Sequence, residues 1–391
     1  MPETVVQRST QRTAPEATIL FSTARARITT ETADRIRAAV RKEVNWIYLA
    51  QLALQHETTA LLYRNLQLIC PESVPVGVLE PLAARFKSQT AEAQRRAEEL
   101  VHILDVLERN GIFALAYKGP MLAQRLYGNL SLREFSELSD LDIMIHERDL
   151  AKARDVILSQ GYREHARGER EMKFYLVRGG ARDLELHWRF MTHSSRIAND
   201  PERFLDRFEL LPLVGTTVRS LPLEVYFLIL SLHATKHKWR KLKLICDIAE
   251  ILESPDVDWE YVVREAESLG LKRMLAVGVL LAEDPLEARS PTQLTPRLKI
   301  DRTARRLAEQ CRQELLTEPD DNWRQADFRF LVNIRERLYD RASMLLWEWM
   351  WPRTMPDEDD RRFVSLPESL GALYYLLRPV RLVWKEVTER P

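Results

Sequence analysis

Glycine is scarce, 12 of 391 residues, well under the ~7% of an average chain. That excludes a turn-rich all-β fold and a glycine-rich phosphate loop, and it makes helix the expected dominant structure. The only cysteines are Cys70, Cys246 and Cys311, far apart and without ligand spacing. A disulfide framework and a zinc ribbon are thereby excluded, and a reducing cytoplasm is the expected compartment. No sign of charge prevails: Lys plus Arg and Asp plus Glu each number 58, so no global basic field draws the chain to long nucleic acid. No apolar run approaches the ~18 residues of a transmembrane helix. Even Leu221 to Leu232 is cut by Glu224, and the polar stretch Met1 to Thr18 lacks the core of a signal peptide.

What is present describes a folded protein. The chain is 45% hydrophobic and 30% charged, near globular averages, and long enough for two or three units of ~100–200 residues. Apolar residues recur at helical spacing from Thr30 to Leu68, which reads as two helices, and Leu79 to Val106 reads as one long helix. Three short apolar runs then follow, Ile112 to Tyr117, Leu141 to Ile145 and Leu184 to Leu186, the strands of a small α/β unit. The helical period returns through Leu221 to Leu252, Trp259 to Ala282, Thr303 to Leu316 and Phe328 to Trp351. Val44 to Tyr48 echoes Val257 to Tyr261, and two helices capped alike by Asn45 and Asp258 account for the echo without a duplication. The apolar stretch Leu370 to Trp384 is interrupted by Pro379. Packing on the protein's own surface is the expectation there, with a peripheral membrane or partner contact as the alternative.

The residues richest in chemistry are Ser139-Asp140-Leu141-Asp142-Ile143-Met144-Ile145. Side chains alternate along a strand, so Asp140 and Asp142 share one face while Leu141, Ile143 and Ile145 take the other. Carboxylates that close repel unless a cation lies between them, and such oxygen ligands suit Mg²⁺. A second alternating segment, Asp183-Leu184-Glu185-Leu186-His187-Trp188, sets Glu185 and His187 on one face, offering a third carboxylate. His187 reads as a hydrogen-bonding partner behind the acids or as a core histidine. Upstream, Lys118-Gly119-Pro120 joins a strand to a helix whose first amides favour phosphate. Lys118, Arg125 and Arg133 add positive charge. His233, Lys236 and His237 share a helix face, as a basic cleft lining or an exposed polar stripe, with Asp247 available to fix one of them.

In its order of strand, Lys118-Gly119, helix, Arg133, Asp140-Leu141-Asp142 and Leu184-Glu185-Leu186-His187-Trp188, the chain resembles the uncharacterised bacterial nucleotidyltransferase family of the DNA polymerase β-like superfamily. The resemblance extends to Trp46, to His233 through Trp239 with Asp247, and to Tyr374 through Arg381. It implies an α+β fold, mostly helical, with a mixed sheet of four or five strands embedded between N-terminal and C-terminal helical regions. The expected divisions are a disordered tail (1–18), an N-terminal helical region (19–105), the nucleotidyltransferase core (106–195), a helical region completing the cleft (196–300) and a C-terminal helical region (301–391).

The resemblance further implies Mg²⁺ ions held by Asp140, Asp142 and Glu185, with ATP or another nucleoside triphosphate bound by Lys118, Gly119, Arg133, Lys236 and His237. A nucleoside monophosphate would pass to an acceptor that is a small molecule, glycan precursor, peptide or protein. The family's usual Gly-Ser or Gly-Gly is Gly119-Pro120 here, and proline has no N–H to offer phosphate. That departure keeps open a non-catalytic nucleotide-binding or interaction module. Modification of a protein or tRNA, as by toxin–antitoxin nucleotidyltransferases, is the other alternative.

Overall fold

The structure is a computed structural model that describes residues 15–134, 141–168, 170–176, 183–190, 202–316 and 323–354, with 363–364, 373–375, 377–378 and 381. The chain divides into two compact units, Met1–Ile334 and Arg335–Pro391. In the second, α15 (Leu338–Thr354) is the main described element, and Tyr374 Oη donates to the Val364 carbonyl at 3.0 Å. Of the stretch Leu370 to Trp384, only 373–375, 377–378 and 381 lie within the described residues.

The first unit opens with α1 (Pro15–Thr23), α2 (Thr30–Val40), α3 (Trp46–Gln55) and α4 (Thr59–Ile69). The expectation of two helices between Thr30 and Leu68 is corrected to three. Asn45 caps α3 by accepting from the Tyr48 amide, and Glu57 turns left-handed at φ 56° before α4. Asp258 caps α11 (Trp259–Leu269) in the same way, accepting from the Tyr261 amide. The echo between the two segments is thus a shared capping device.

The long helix α5 (Val76–Arg109) leads into a seven-stranded sheet of order β3-β4-β5-β2-β1-β7-β6. Its strands are β1 (Ala114–Ala116), β2 (Leu141–Ile145), β3 (Tyr162–Arg167), β4 (Glu171–Leu176), β5 (Asp183–His187), β6 (Glu209–Leu213) and β7 (Thr216–Ser220). The sheet is mixed: β2 runs parallel to β5 and β1 parallel to β7, and the remaining pairs are antiparallel. Four or five strands were expected, so the sheet is larger than the sequence indicated. The edge strands are β3, which exposes Arg163, His165 and Arg167, and β6, which exposes Leu210 and Pro212. The β6–β7 hairpin turns through Val214 and Gly215, both at positive φ, a turn that lacks the Asn-Gly signature.

One face of the sheet is covered by α5 and by α7 (Leu150–Ser159): Leu100, Ile103, Leu107 and Ile157 pack on Leu141, Ile143, Ile145, Leu184 and Leu186. The other face carries the candidate site. Its apolar members, Leu115, Tyr117, Met144 and Phe190, belong to a second core with α6 (Pro120–Tyr127), α8 (Glu202–Leu205), α9 (Leu223–Lys236), α10 (Leu242–Leu252) and α12 (Lys272–Leu286). The helical stretch Leu221 to Leu252 is split into α9 and α10 by Lys238 and Trp239, both left-handed at φ 53° and 57°. Trp239 is fully buried, so packing of its indole outweighs the backbone preference. Beyond α12, α13 (Arg302–Glu314) and α14 (Trp323–Ile334) complete the unit.

His56 ties two ends of this scaffold together. Its ring Nε2 lies 2.6 Å from the Leu315 carbonyl and its Nδ1 accepts from the Leu242 amide at 3.3 Å. Burial pushes its pKa down to about 4 against the pull of the Leu315 carbonyl. The unfolded chain binds this proton first, so the contribution of His56 is complete above the ordinary histidine pKa and is lost as pH falls toward about 4. The loss is at most roughly 3 kcal/mol. Denaturant titrations from pH 7 to 4 should show stability falling more steeply in the wild type than in His56→Gln. The comparison isolates His56 from His233 and His237, whose pKa values are also lowered.

Candidate active site

Strand pairing places the acids. In the parallel β2–β5 ladder Asp142 is opposite Glu185 and Met144 opposite His187. The antiparallel β4–β5 ladder sets Lys173 opposite Glu185 and Glu171 opposite His187. The Tyr117 amide bonds to the Asp142 carbonyl at the end of β1. One rung therefore reads Lys173, Glu185, Asp142, Tyr117 across four strands, and the next reads Glu171, His187, Met144, Leu115. Alternation sends all of these to the face opposite the Leu141, Ile143, Leu184 and Leu186 core.

Within that face Asp142, Glu185 and His187 each offer a ligand atom, and those atoms lie within 4.8 Å of one another. His187 Nε2 is 2.9 Å from Asp142 Oδ1 and 3.1 Å from Glu185 Oε2. The Lys118 ammonium stands 3.4 Å from Asp142 Oδ1, and Lys173 pairs with Glu185 Oε1. Two cations thus already face the two carboxylates. Burial opposes the charge on Asp142, but Lys118 and the hydrogen bond from His187 outweigh it and hold the carboxyl below its ordinary value. Burial likewise opposes the charge on Lys118, while Asp142, Tyr117 and Glu185 hold it above the usual lysine range. Burial pushes the Tyr117 hydroxyl up against the pull of Lys118. The Tyr117 ring stands edge-on to His187, with centroids 5.2 Å apart.

Gly119 sits between Lys118 and α6 at φ 60°, ψ −133°, a conformation essentially reserved for glycine. Pro120 then occupies the first helical position, where its missing N–H costs nothing. This turn sets Lys118 against Asp142.

Other expected site residues are placed differently. Asp140 lies outside the described residues. Arg133 pairs with a different carboxylate: its Nε and Nη2 fork onto Asp247, with Nη2 to Oδ2 at 2.9 Å, and the Tyr127 hydroxyl donates to the same carboxylate at 2.9 Å. The expectation that Asp247 fixes a histidine or lysine of α9 is corrected accordingly; it holds Arg133, buried between α6 and α10. Lys236 and His237, at the end of α9, are accessible to solvent yet crowded by protein. That partial burial lowers both, reinforced for Lys236 by Arg170 and for His237 by Lys236, and His237 falls to about 4. Lys236 also feels Glu171, Lys118 and Glu185, so it belongs to the same electrostatic neighbourhood. His237 is an uncharged imidazole at neutral pH.

Sequence reasoning missed Glu171 and Lys173. The available signal was the period of two in Glu171-Met172-Lys173-Phe174, whose apolar members Met172 and Phe174 are fully buried.

Two carboxylates thus stand on adjacent parallel strands beside a lysine held at a strand-to-helix turn. Residues 42–287 match the family described as uncharacterised nucleotidyltransferase, and the chain belongs to that family. No curated protein matches the sequence. Among solved structures, the chain is similar to the antibiotic-resistance factor ANT(2'')-Ia, 16% identical over 44% of this chain and 90% of that one, with a TM-score of 0.33. It is also similar to an antigenic nucleotidyltransferase-like protein from Paracoccidioides brasiliensis, 14% identical over 53% and 95% of the two chains, with a TM-score of 0.34.

Proposed function

We propose that the protein is a metal-dependent nucleotidyltransferase of the cytoplasm that moves a nucleoside monophosphate from a nucleoside triphosphate to an acceptor hydroxyl. The observation that carries this reading is the pairing of Asp142 with Glu185 across β2 and β5, with lysine ammonium groups already against both carboxylates. The donor set fits a divalent cation, since its carboxylates converge on a face where positive charge is electrostatically favoured. Asp142 and Glu185, with Asp140 as the sequence suggests, would hold Mg²⁺, which would supply charge neutralisation for the phosphates of the nucleotide.

The protein's own groups do the rest. Lys118 and Lys173 have flexible four-carbon stems, so each ammonium can swing from its carboxylate onto phosphate oxygens as the nucleotide arrives. Lys236 extends this positive lining from α9. The first turn of α6 directs its partial positive charge at the β- and γ-phosphates. Glu185 would accept the acceptor's proton. Gly119 keeps the turn tight enough for Lys118 to reach both its carboxylate and the nucleotide.

Calorimetric titration with ATP, GTP, CTP and UTP in Mg²⁺ tests the nucleotide half of this reading. At least one should bind with a dissociation constant below about 1 mM, the equivalent of ~4 kcal/mol. It should bind more weakly, by about tenfold or more, to Lys118→Ala. Absence of binding by all four at millimolar concentration would remove the main support for the proposal.

A further inference from the structure

We propose that His187 supplies a nitrogen ligand to the divalent ion of this site, oriented for that task by Glu171, and that the site therefore prefers a first-row transition ion such as Mn²⁺ to Mg²⁺. The proposal rests on the metal reading above and specifies which ion the site selects.

His187 is fully buried on β5, two residues beyond Glu185. Its Nε2 lies 2.9 Å from Asp142 Oδ1 and 3.1 Å from Glu185 Oε2. Adjacent ligands around an octahedral ion with bonds of ~2.0–2.1 Å are separated by roughly 2.9 Å, so Nε2 stands from each oxygen at about the spacing of a neighbouring ligand, and all three atoms lie within 4.8 Å of one another. The far side of the ring carries a second observation. His187 Nδ1 faces Glu171 Oε2 at 3.5 Å and is buried without a hydrogen bond among the described residues, while the same carboxylate oxygen is paired on its other side with the Arg170 guanidinium at 2.7 Å. The β4–β5 register puts Glu171 directly opposite His187, so the pairing is built into the sheet.

The alternatives for this ring can be separated by donor and acceptor chemistry. With the proton on Nε2, the ring donates to Asp142 and Glu185, but the Nδ1 lone pair then faces a carboxylate oxygen, acceptor against acceptor. With the proton on Nδ1, the ring donates to Glu171, and the Nε2 lone pair points between Asp142 and Glu185. That arrangement is favourable only with a cation there, and it is the carboxylate–histidine–metal relation that fixes tautomer and ring orientation in metal sites. An imidazolium donating from both nitrogens is the remaining alternative; it clamps the carboxylates without ligating anything. Carboxylates and water suffice for Mg²⁺, whereas an imidazole favours first-row transition ions. Glu171 acts through His187 and is a positioning residue.

The experiment uses the full chain, stripped of metal by chelator and titrated with Mn²⁺ while free Mn²⁺ is followed by electron paramagnetic resonance. Electron spin echo modulation of the bound ion reports any directly coordinated ¹⁴N. The wild type is expected to show imidazole ¹⁴N coupling that His187→Asn lacks. Mn²⁺ affinity should fall about 10- to 100-fold in His187→Asn and by a smaller factor in Glu171→Gln, while Mg²⁺ affinity, measured by competition, changes less than threefold. Bound Mn²⁺ without ¹⁴N coupling in the wild type overturns the proposal, and so does unchanged Mn²⁺ affinity in a folded His187→Asn protein. If that variant does not fold, the wild-type ¹⁴N signal and Glu171→Gln decide. Asp142→Asn separates the two levels of the account. Loss of Mn²⁺ binding in Asp142→Asn with a silent His187 sinks this inference alone, whereas no Mn²⁺ binding by the wild type, or equal binding by Asp142→Asn, sinks the metal reading with it.

Discussion

Asp142→Asn is expected to reduce nucleotide transfer by about a thousandfold or more, the equivalent of ~4 kcal/mol of transition-state stabilisation. The substitution keeps the shape of the side chain and removes the charge on which the cation depends. Stability changes as well, and in a direction the sequence did not indicate. Two adjacent carboxylates in the metal-free protein would repel, so neutralising one would leave stability level or raise it slightly. In the fold, however, Asp142 is held by Lys118 at 3.4 Å and His187 at 2.9 Å, and its pKa lies below the ordinary value. Asparagine keeps one acceptor oxygen but loses the charge, so a cost of about 1–3 kcal/mol is expected near neutral pH. A carboxyl whose folded pKa is depressed contributes stability above its unfolded pKa of ~3.9 and loses it as pH falls through the folded value. The gap between wild type and Asp142→Asn in denaturant titrations should therefore close in strong acid.

The second large effect falls on Arg133. Arg133→Met leaves the fully buried Asp247 side chain without its guanidinium, and with the Tyr127 hydroxyl as its remaining donor among the described residues. Removing one member of such a pair costs about 3–5 kcal/mol. The double variant Arg133→Met, Asp247→Leu should recover most of that loss, because an apolar pair of similar volume leaves no stranded charge. Nucleotide affinity, measured on whatever fraction remains folded, should change far less than stability does. A stable Arg133→Met protein with weakened nucleotide binding would return Arg133 to the site where the sequence had placed it.

The pairing of Arg133 with Asp247 was not legible in the sequence. In sequence Arg133 stands shortly before the aspartates, and every base in that neighbourhood reads as a phosphate partner. Its real partner lies on α10, 114 positions away, and no local pattern announces a pairing at that distance. The acids were legible for the opposite reason. Asp142 and Glu185 each sit in a strand where branched apolar residues occupy every second position, so the period of two specifies which face each takes. Two buried strands with the same alternation then have one economical way to lie side by side. Lys173 and Glu171 carry the same period, but only Met172 and Phe174 mark it before Tyr175 and Leu176 break the alternation, so the run is too short to stand out. The extent of the helices was legible from their period, and their breaks were not: Asn45, Glu57 and Trp239 divide continuous apolar patterns through capping, backbone conformation and packing. The resemblance to the uncharacterised nucleotidyltransferase family reached what periodicity could not, and the match over 42–287 bears out the family.

The most direct measurement incubates the wild type and Asp142→Asn with each α-labelled nucleoside triphosphate, Mg²⁺ or Mn²⁺, and cell extract, and follows both the label and released pyrophosphate. The account predicts that the wild type passes label from at least one triphosphate to a discrete acceptor with matching pyrophosphate release, and that Asp142→Asn does so about a thousandfold more slowly. Equal transfer by the two proteins, or no label on any molecule with either metal, would contradict it.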